Sequence, residues 1–207
     1  LGGVAGWSEV YMNASLESYL KGYNDPRIKS YFNLAQDGRD KEGNIIKEVA
    51  GVKQLNSIEG EYKGVRQGTG VADNRYSTHS QTAITTGSKI IVMSAAEVWF
   101  LRAEAALRNY TSENVENCYK QGITVSFAQW DASGVSEYLE SEETPAAYVD
   151  AFDKKFDADA PTSITPKWDE SAPLELKLER IITQKWLAIY PEGCEAWAEQ
   201  RRTGYPR

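Results

Sequence analysis

A chain of 207 residues suits one domain or a large piece of one, and 41% hydrophobic with 26% charged residues is ordinary for a globular protein. The net charge of −7 argues against a nucleic-acid partner, which needs a basic face to neutralise phosphates. No run of about 18 apolar residues is present, so no segment is expected to span a membrane.

The opening LGGVAGWSEV has neither a basic leader region nor a cleavable apolar core, and it runs at once into helix-like sequence, as a mature or truncated chain would. Val10 to Gly22 reads as a helix with Leu16, Tyr19 and Leu20 on its apolar side. Asp25-Pro26 suits an N-cap followed by proline at the first helical position. The short helix that follows carries Ile28, Tyr31 and Phe32 inward, with Arg27 bridging to a neighbouring carboxylate or carbonyl.

From about Gln36 to Lys89 the periodicity fades, and the stretch 33–92 reads as a loop-rich excursion broken by glycines. Turns are expected at Asp37-Gly38 and Glu42-Gly43-Asn44, with short strands around Ile45 to Val49 and Lys89 to Val92. Met93 to Asn109 is the best-specified helix. Ser94 and Glu97 have capping-box spacing, and Met93 with Val98 is spaced for a hydrophobic staple. Val98, Leu101 and Ala105 form its stripe, widened by Trp99 and Phe100.

Ser112 opens a second helix with Val115, Tyr119, Ile123, Phe127 and Trp130 on one face, closed by Gly134. The pair at 93–131, small residues against aromatics, is a hairpin of tetratricopeptide type. Val135 to Ala160 reads as two short helices, the second announced by Thr144-Pro145. DAFDKKFDAD lacks the spacing of a calcium loop and reads as a solvated acidic face. Pro161, Pro166 and Pro173 mark an extended connection holding Trp168, either a core anchor or an exposed platform. Cys118 and Cys194 read as two unpaired thiols with no metal-site spacing, although pairing stays open.

The chain ends in a helical hairpin at 174–205. Leu174, Leu178, Ile181, Ile182, Trp186 and Ile189 line one helix, and Pro191 and Gly193 break it. A second helix runs from about Glu192 to Thr203, with Arg201 and Arg202 at its C-terminal end and Gly204 as its stop.

Three segments, KGYNDPRIKSYF, MSAAEVWFLRAEAALRNY and IITQKWLAIYPEGCEAWAEQRRTGYPR, resemble in content and order the SusD/RagB family of bacterial outer-membrane nutrient-binding lipoproteins. The resemblance implies a mainly α fold of tetratricopeptide-like helix pairs with long irregular loops and a few short strands. It implies that residues 1–207 are the C-terminal portion of a single SusD-like domain, at the outer-membrane surface, held by a lipid anchor absent from this chain. The implied role is non-enzymatic and cofactor-free: capture of an oligosaccharide or other oligomeric nutrient for a SusC-type TonB-dependent transporter. The matching segments are scaffold, so the resemblance transfers no binding residues.

Tyr62, Arg66, Asp73, Asn74, Arg75 and Tyr76 gather aromatic faces and planar hydrogen-bonding groups in one loop segment, the groups a sugar needs. The candidate ligand residues are therefore Tyr62, Arg66, Asn74 and Tyr76, with Trp168 behind them; the alternative is that the segment only packs over the helices. A helical-repeat module docking on a protein, without its own sugar site, is the competing function. A hydrolase is the third. His79 is the only histidine, near Ser77 and Ser80, but no G-x-S-x-G, H-E-x-x-H or phosphate-cradling glycine motif occurs.

Overall fold

The first helix among the described residues, α1 (Ala14–Gly22), begins where the Asn13 side chain accepts a hydrogen bond from the Leu16 amide at 2.7 Å. It buries Leu16, Tyr19 and Leu20 as their spacing predicts. The computed structural model describes residues 10–69 and 74–207, so Asp73 lies outside the described residues. They fall into two units, a loop-rich one (10–22, 28–69, 74–88 and 146–161) and a helical one (23–27, 89–145 and 162–207).

In the loop-rich unit a single turn, α2 (Ile28–Tyr31), buries Ile28 and Tyr31, with Phe32 buried beside it. Two antiparallel hairpins follow, β1 (Gly38–Arg39) with β2 (Ile45–Ile46), and β3 (Glu48–Val49) with β4 (Val52–Lys53). The second hairpin turns through Ala50 and Gly51, both at positive φ (49° and 76°), as its two-residue loop requires. Beyond them the loops are held by main-chain bonds rather than regular elements. Met12 N donates to Ser80 O and Val65 N to Met12 O, each at 2.8 Å, and Asn33 N donates to Gln81 O at 2.8 Å. Ala35, Val49, Ile58, Tyr76, Ala151 and Phe152 make one buried apolar cluster of this unit.

Two expectations fail in these regions. Thr144-Pro145 leads not into a helix but into an extended segment in which Tyr148 pairs antiparallel with Ala158, and the only helical piece there is the 3-10 turn Lys154–Phe156. Lys89 to Val92 forms no strand: Ile90 and Val92 are about nine-tenths exposed, and no strand lies beside them among the described residues. An apolar run becomes a strand only where a partner edge exists.

The helical unit is built on α3 (Ala95–Leu107), α4 (Val115–Gln129), α5 (Val135–Leu139), α6 (Leu174–Ala188) and α7 (Gly193–Thr203). Ser94 caps α3 by accepting from the Glu97 amide at 3.1 Å, as expected, whereas α4 is capped by Asn114, not Ser112. The buried face of α3 is Ala96, Phe100, Ala103 and Ala106, while Val98 and Leu101 remain exposed. The reason is Gly122 of α4. The Phe100 ring sits where a Cβ at Gly122 would come within 2.7 Å of it, so the close approach selects the Phe100 face. Gly134, at φ 83°, caps α5 in the left-handed region.

The α6 core, Ile181 to Lys185, is buried all round, and polar groups there must find partners. Lys185 lies 2.9 Å from Glu195 and 3.3 Å from Glu199, and Arg202 of α7 binds Glu199 and Glu104 at 2.7 and 2.6 Å. The α7 stop is Gly204 at φ 79°, whose amide donates to Gln200 O at 2.8 Å. Cys118 and Cys194 are free. The fold is mainly helical with short strands and long loops, the class expected. No helix among the described residues is long and apolar enough to cross a membrane.

Arg27, fully buried in the helical unit, is ion-paired to Asp25. Arg27→Ala leaves that carboxylate buried without its partner and is expected to cost about 3–5 kcal/mol in urea unfolding. A loss below about 1 kcal/mol would show that the pair is not structural.

Candidate functional site

The loop segment expected to bind ligand divides into parts with different freedom. Tyr76 closes the 3-10 turn Asn74–Tyr76 and is buried; its hydroxyl accepts from Arg66 Nε and donates to Asp150 Oδ2, each at 3.1 Å. Burial first, and then the Asp150 charge, raises the Tyr76 phenol above its usual range, so it stays protonated and keeps donating. Arg66 is half-buried, with its guanidinium 3.6 Å above the Phe156 ring. Asn74 is exposed and Tyr62 half-buried, its phenol raised by burial alone. The structure thus joins Arg66 and Tyr76 directly and sets Asn74 at the head of the same turn. Trp168 belongs to the helical unit, where it is buried, donates from Nε1 to Glu170 Oε2 at 2.8 Å, and packs 5.1 Å from the Tyr119 ring.

Sequence reasoning missed the residue that holds this surface. Asp150 was expected on a solvated acidic face, but it is fully buried. Its Oδ2 accepts from Tyr76 and Tyr148 hydroxyls, and its Oδ1 from the amides of Phe152 and Asp153 at 2.9 and 3.0 Å. Four donors satisfy the carboxylate, which explains how a charge can lie there. The three other aspartates of the segment do point outward or partly so. A second buried acid, Glu17, accepts from Lys63 Nζ at 2.8 Å and Gly64 N at 2.7 Å, beside a cleft of about 300 Å³ also lined by Lys21, Ser57 and Glu61.

His79 does not form a triad. It is buried between Tyr76 and Phe152, edge-on to the first at 5.0 Å and stacked on the second at 6.0 Å. Among the described residues neither ring nitrogen has a hydrogen-bond partner, so neither reaches Ser77 or Ser80. Burial, then the nearby Lys63 charge, depress it to about 4, with Asp150 opposing.

A family model described as SusD-like, Susd and RagB outer membrane lipoprotein, matches residues 3–207. The chain belongs to the SusD/RagB family. Solved SusD relatives agree in fold. A chitin-binding SusD homologue of Flavobacterium johnsoniae is 38% identical, with TM-score 0.79, over 97% of this chain and 38% of its own. A Bacteroides vulgatus homologue is 42% identical, with TM-score 0.83, over 99% and 39%. A SusD-like protein of Bacteroides thetaiotaomicron is 36% identical, with TM-score 0.79, over 100% and 40%. The chain therefore spans about two fifths of the length of these SusD relatives. No curated protein matches it. SusD-family proteins are non-catalytic binding proteins.

Because the His79 value lies below its unfolded value near 6.5, the unfolded chain binds the proton first. Its neutral burial is at full strength above about pH 6.5 and is lost as pH falls through about 4. Denaturant melts of wild type and His79→Leu at pH 7 and pH 4 should differ in their pH-dependent loss by on the order of 3 kcal/mol. An identical pH slope in the two proteins would show that His79 does not carry it.

Proposed function

We propose that this chain is part of a surface lipoprotein that captures a glycan or related oligomeric nutrient, without turning it over, for a SusC-type TonB-dependent transporter in the outer membrane. What supports the reading is the SusD/RagB membership of a chain whose loops are pinned by buried carboxylates. A binding loop must hold its aromatic and amide groups still before the ligand arrives, because ordering them afterwards subtracts from affinity. On this reading Tyr62, Arg66 and Asn74 offer the contact face, and Tyr76 positions Arg66 from below. Trp168 would serve a separate cleft.

The chitin-binding relative makes soluble N-acetylglucosamine oligomers the first ligands to test, ahead of a wider oligosaccharide panel. One observation favours a protein-docking reading instead: Ile90, Val92 and Met93 form an exposed apolar run in the helical unit. Calorimetry separates the two readings. Binding without released products, weakened about fivefold by Tyr62→Ala, matches loss of one stacking contact of about 1 kcal/mol. Silence across the panel sinks the sugar reading and favours docking; released products sink the non-catalytic one.

A further inference from the structure

The helical unit holds a second cleft, of about 560 Å³, lined by Glu142, Thr165, Lys167, Trp168, Asp169, Glu170 and Arg180. That volume is within the range of small-molecule sites. Its charges are unequally satisfied. Glu142 is paired with Lys167 at 2.7 Å. Glu170 accepts from Trp168 Nε1 at 2.8 Å and lies 3.2 Å from Lys177. Asp169 accepts from the amide and hydroxyl of Ser171 at 2.9 and 2.6 Å.

Arg180 is the exception. It is 94% buried on α6 by its 6% exposure, yet its guanidinium makes one hydrogen bond among the described residues, from Nε to Thr165 O at 3.1 Å. Among the described residues Nη1 is buried without a partner, and no carboxylate lies within ion-pair distance of the guanidinium. Buried guanidinium groups are ordinarily matched by a carboxylate in a two-point contact; among the described residues none makes that contact here, and Asp169 acts on Arg180 only at longer range.

We propose that this cleft is a ligand subsite in which Arg180 takes the carboxylate of a sugar acid. The three rim carboxylates select among anions. They repel a phosphate dianion, whereas a monoanionic sugar acid brings hydroxyls that they can accept. A neutral sugar leaves the guanidinium without a carboxylate in direct contact. The inference leans on the sugar-capture reading only in choosing a sugar acid over another hydroxylated carboxylate.

The test is calorimetric titration of the 207-residue chain with D-galacturonate, galactose and inorganic phosphate, repeated on Arg180→Gln and on Lys167→Ala, a rim change, with folding checked by circular dichroism. The expected result is galacturonate binding at least tenfold tighter than either competitor. Arg180→Gln should abolish that preference, and Lys167→Ala should reduce it several-fold by removing a rim cation. Equal affinity for galactose, a preference for phosphate, or a preference surviving in folded Arg180→Gln overturns the proposal. If Arg180→Gln does not fold, an unchanged preference in Lys167→Ala overturns it. A chain that binds neutral oligosaccharides but not galacturonate loses this subsite and keeps the capture reading. One that binds galacturonate alone does the reverse.

Discussion

The Arg27–Asp25 ion pair organises the helical unit. The guanidinium is fully enclosed, 2.5 Å and 3.0 Å from the Asp25 carboxylate through Nη2 and Nε. Its remaining donors reach Ser126 of α4 at 2.8 Å and Gln184 of α6 at 3.3 Å, and its plane lies 4.9 Å from the Phe127 ring. One side chain therefore ties a five-residue segment to two helices more than 90 residues downstream. A hydrophobic residue could fill the volume at no lower stability, since burying charge is costly. It could not demand that three segments arrive in one register. The neighbouring Tyr138–Gln184 bond has the same character, satisfied only when α5 and α6 are both in place.

The loop-rich unit solves a different problem with the same chemistry. It has little regular structure to absorb its main-chain amides, so buried carboxylates take them instead. Asp37 accepts from Ile58 N and from the side chains of Gln54 and Ser57, Glu17 from Gly64 N, and Asp150 from Phe152 and Asp153. Each acid replaces part of a missing strand ladder. This makes a long irregular excursion compatible with a fixed surface, and a fixed surface is what recognition by loops requires. The Arg180 cleft is the contrasting case, where a buried guanidinium has no carboxylate in contact among the described residues.

The helices were legible because their signals are local. The terminal hairpin has its boundaries near Glu192, Thr203 and Gly204 where proline, glycine and charge placement put them, although of its expected apolar stripe only Ile181, Ile182 and Ile189 are buried and Leu174 is exposed. Ser94 could be assigned as a cap because its partner is three residues away. The expected stripe of α3 was displaced for an equally plain reason. Val98-Leu101 and Ala96-Phe100-Ala103 are neighbouring rows on one helix, and the choice between them belongs to Gly122, on another helix.

The sequence by itself determined the helical class, the helix hairpins, the Ser94 cap and the family, since periodicity and motif order are written within a few residues of each other. It also located the loop segment that carries Arg66 and Tyr76. Tertiary structure alone decided which charges are buried. Asp150 and its three companions in DAFDKKFDAD look alike in the chain, and only Asp150 meets a tyrosine 74 residues away. Likewise, nothing near Arg180 in the chain reveals that no carboxylate among the described residues contacts its guanidinium. A charge's solvation depends on groups brought together in space, and no local pattern records that encounter.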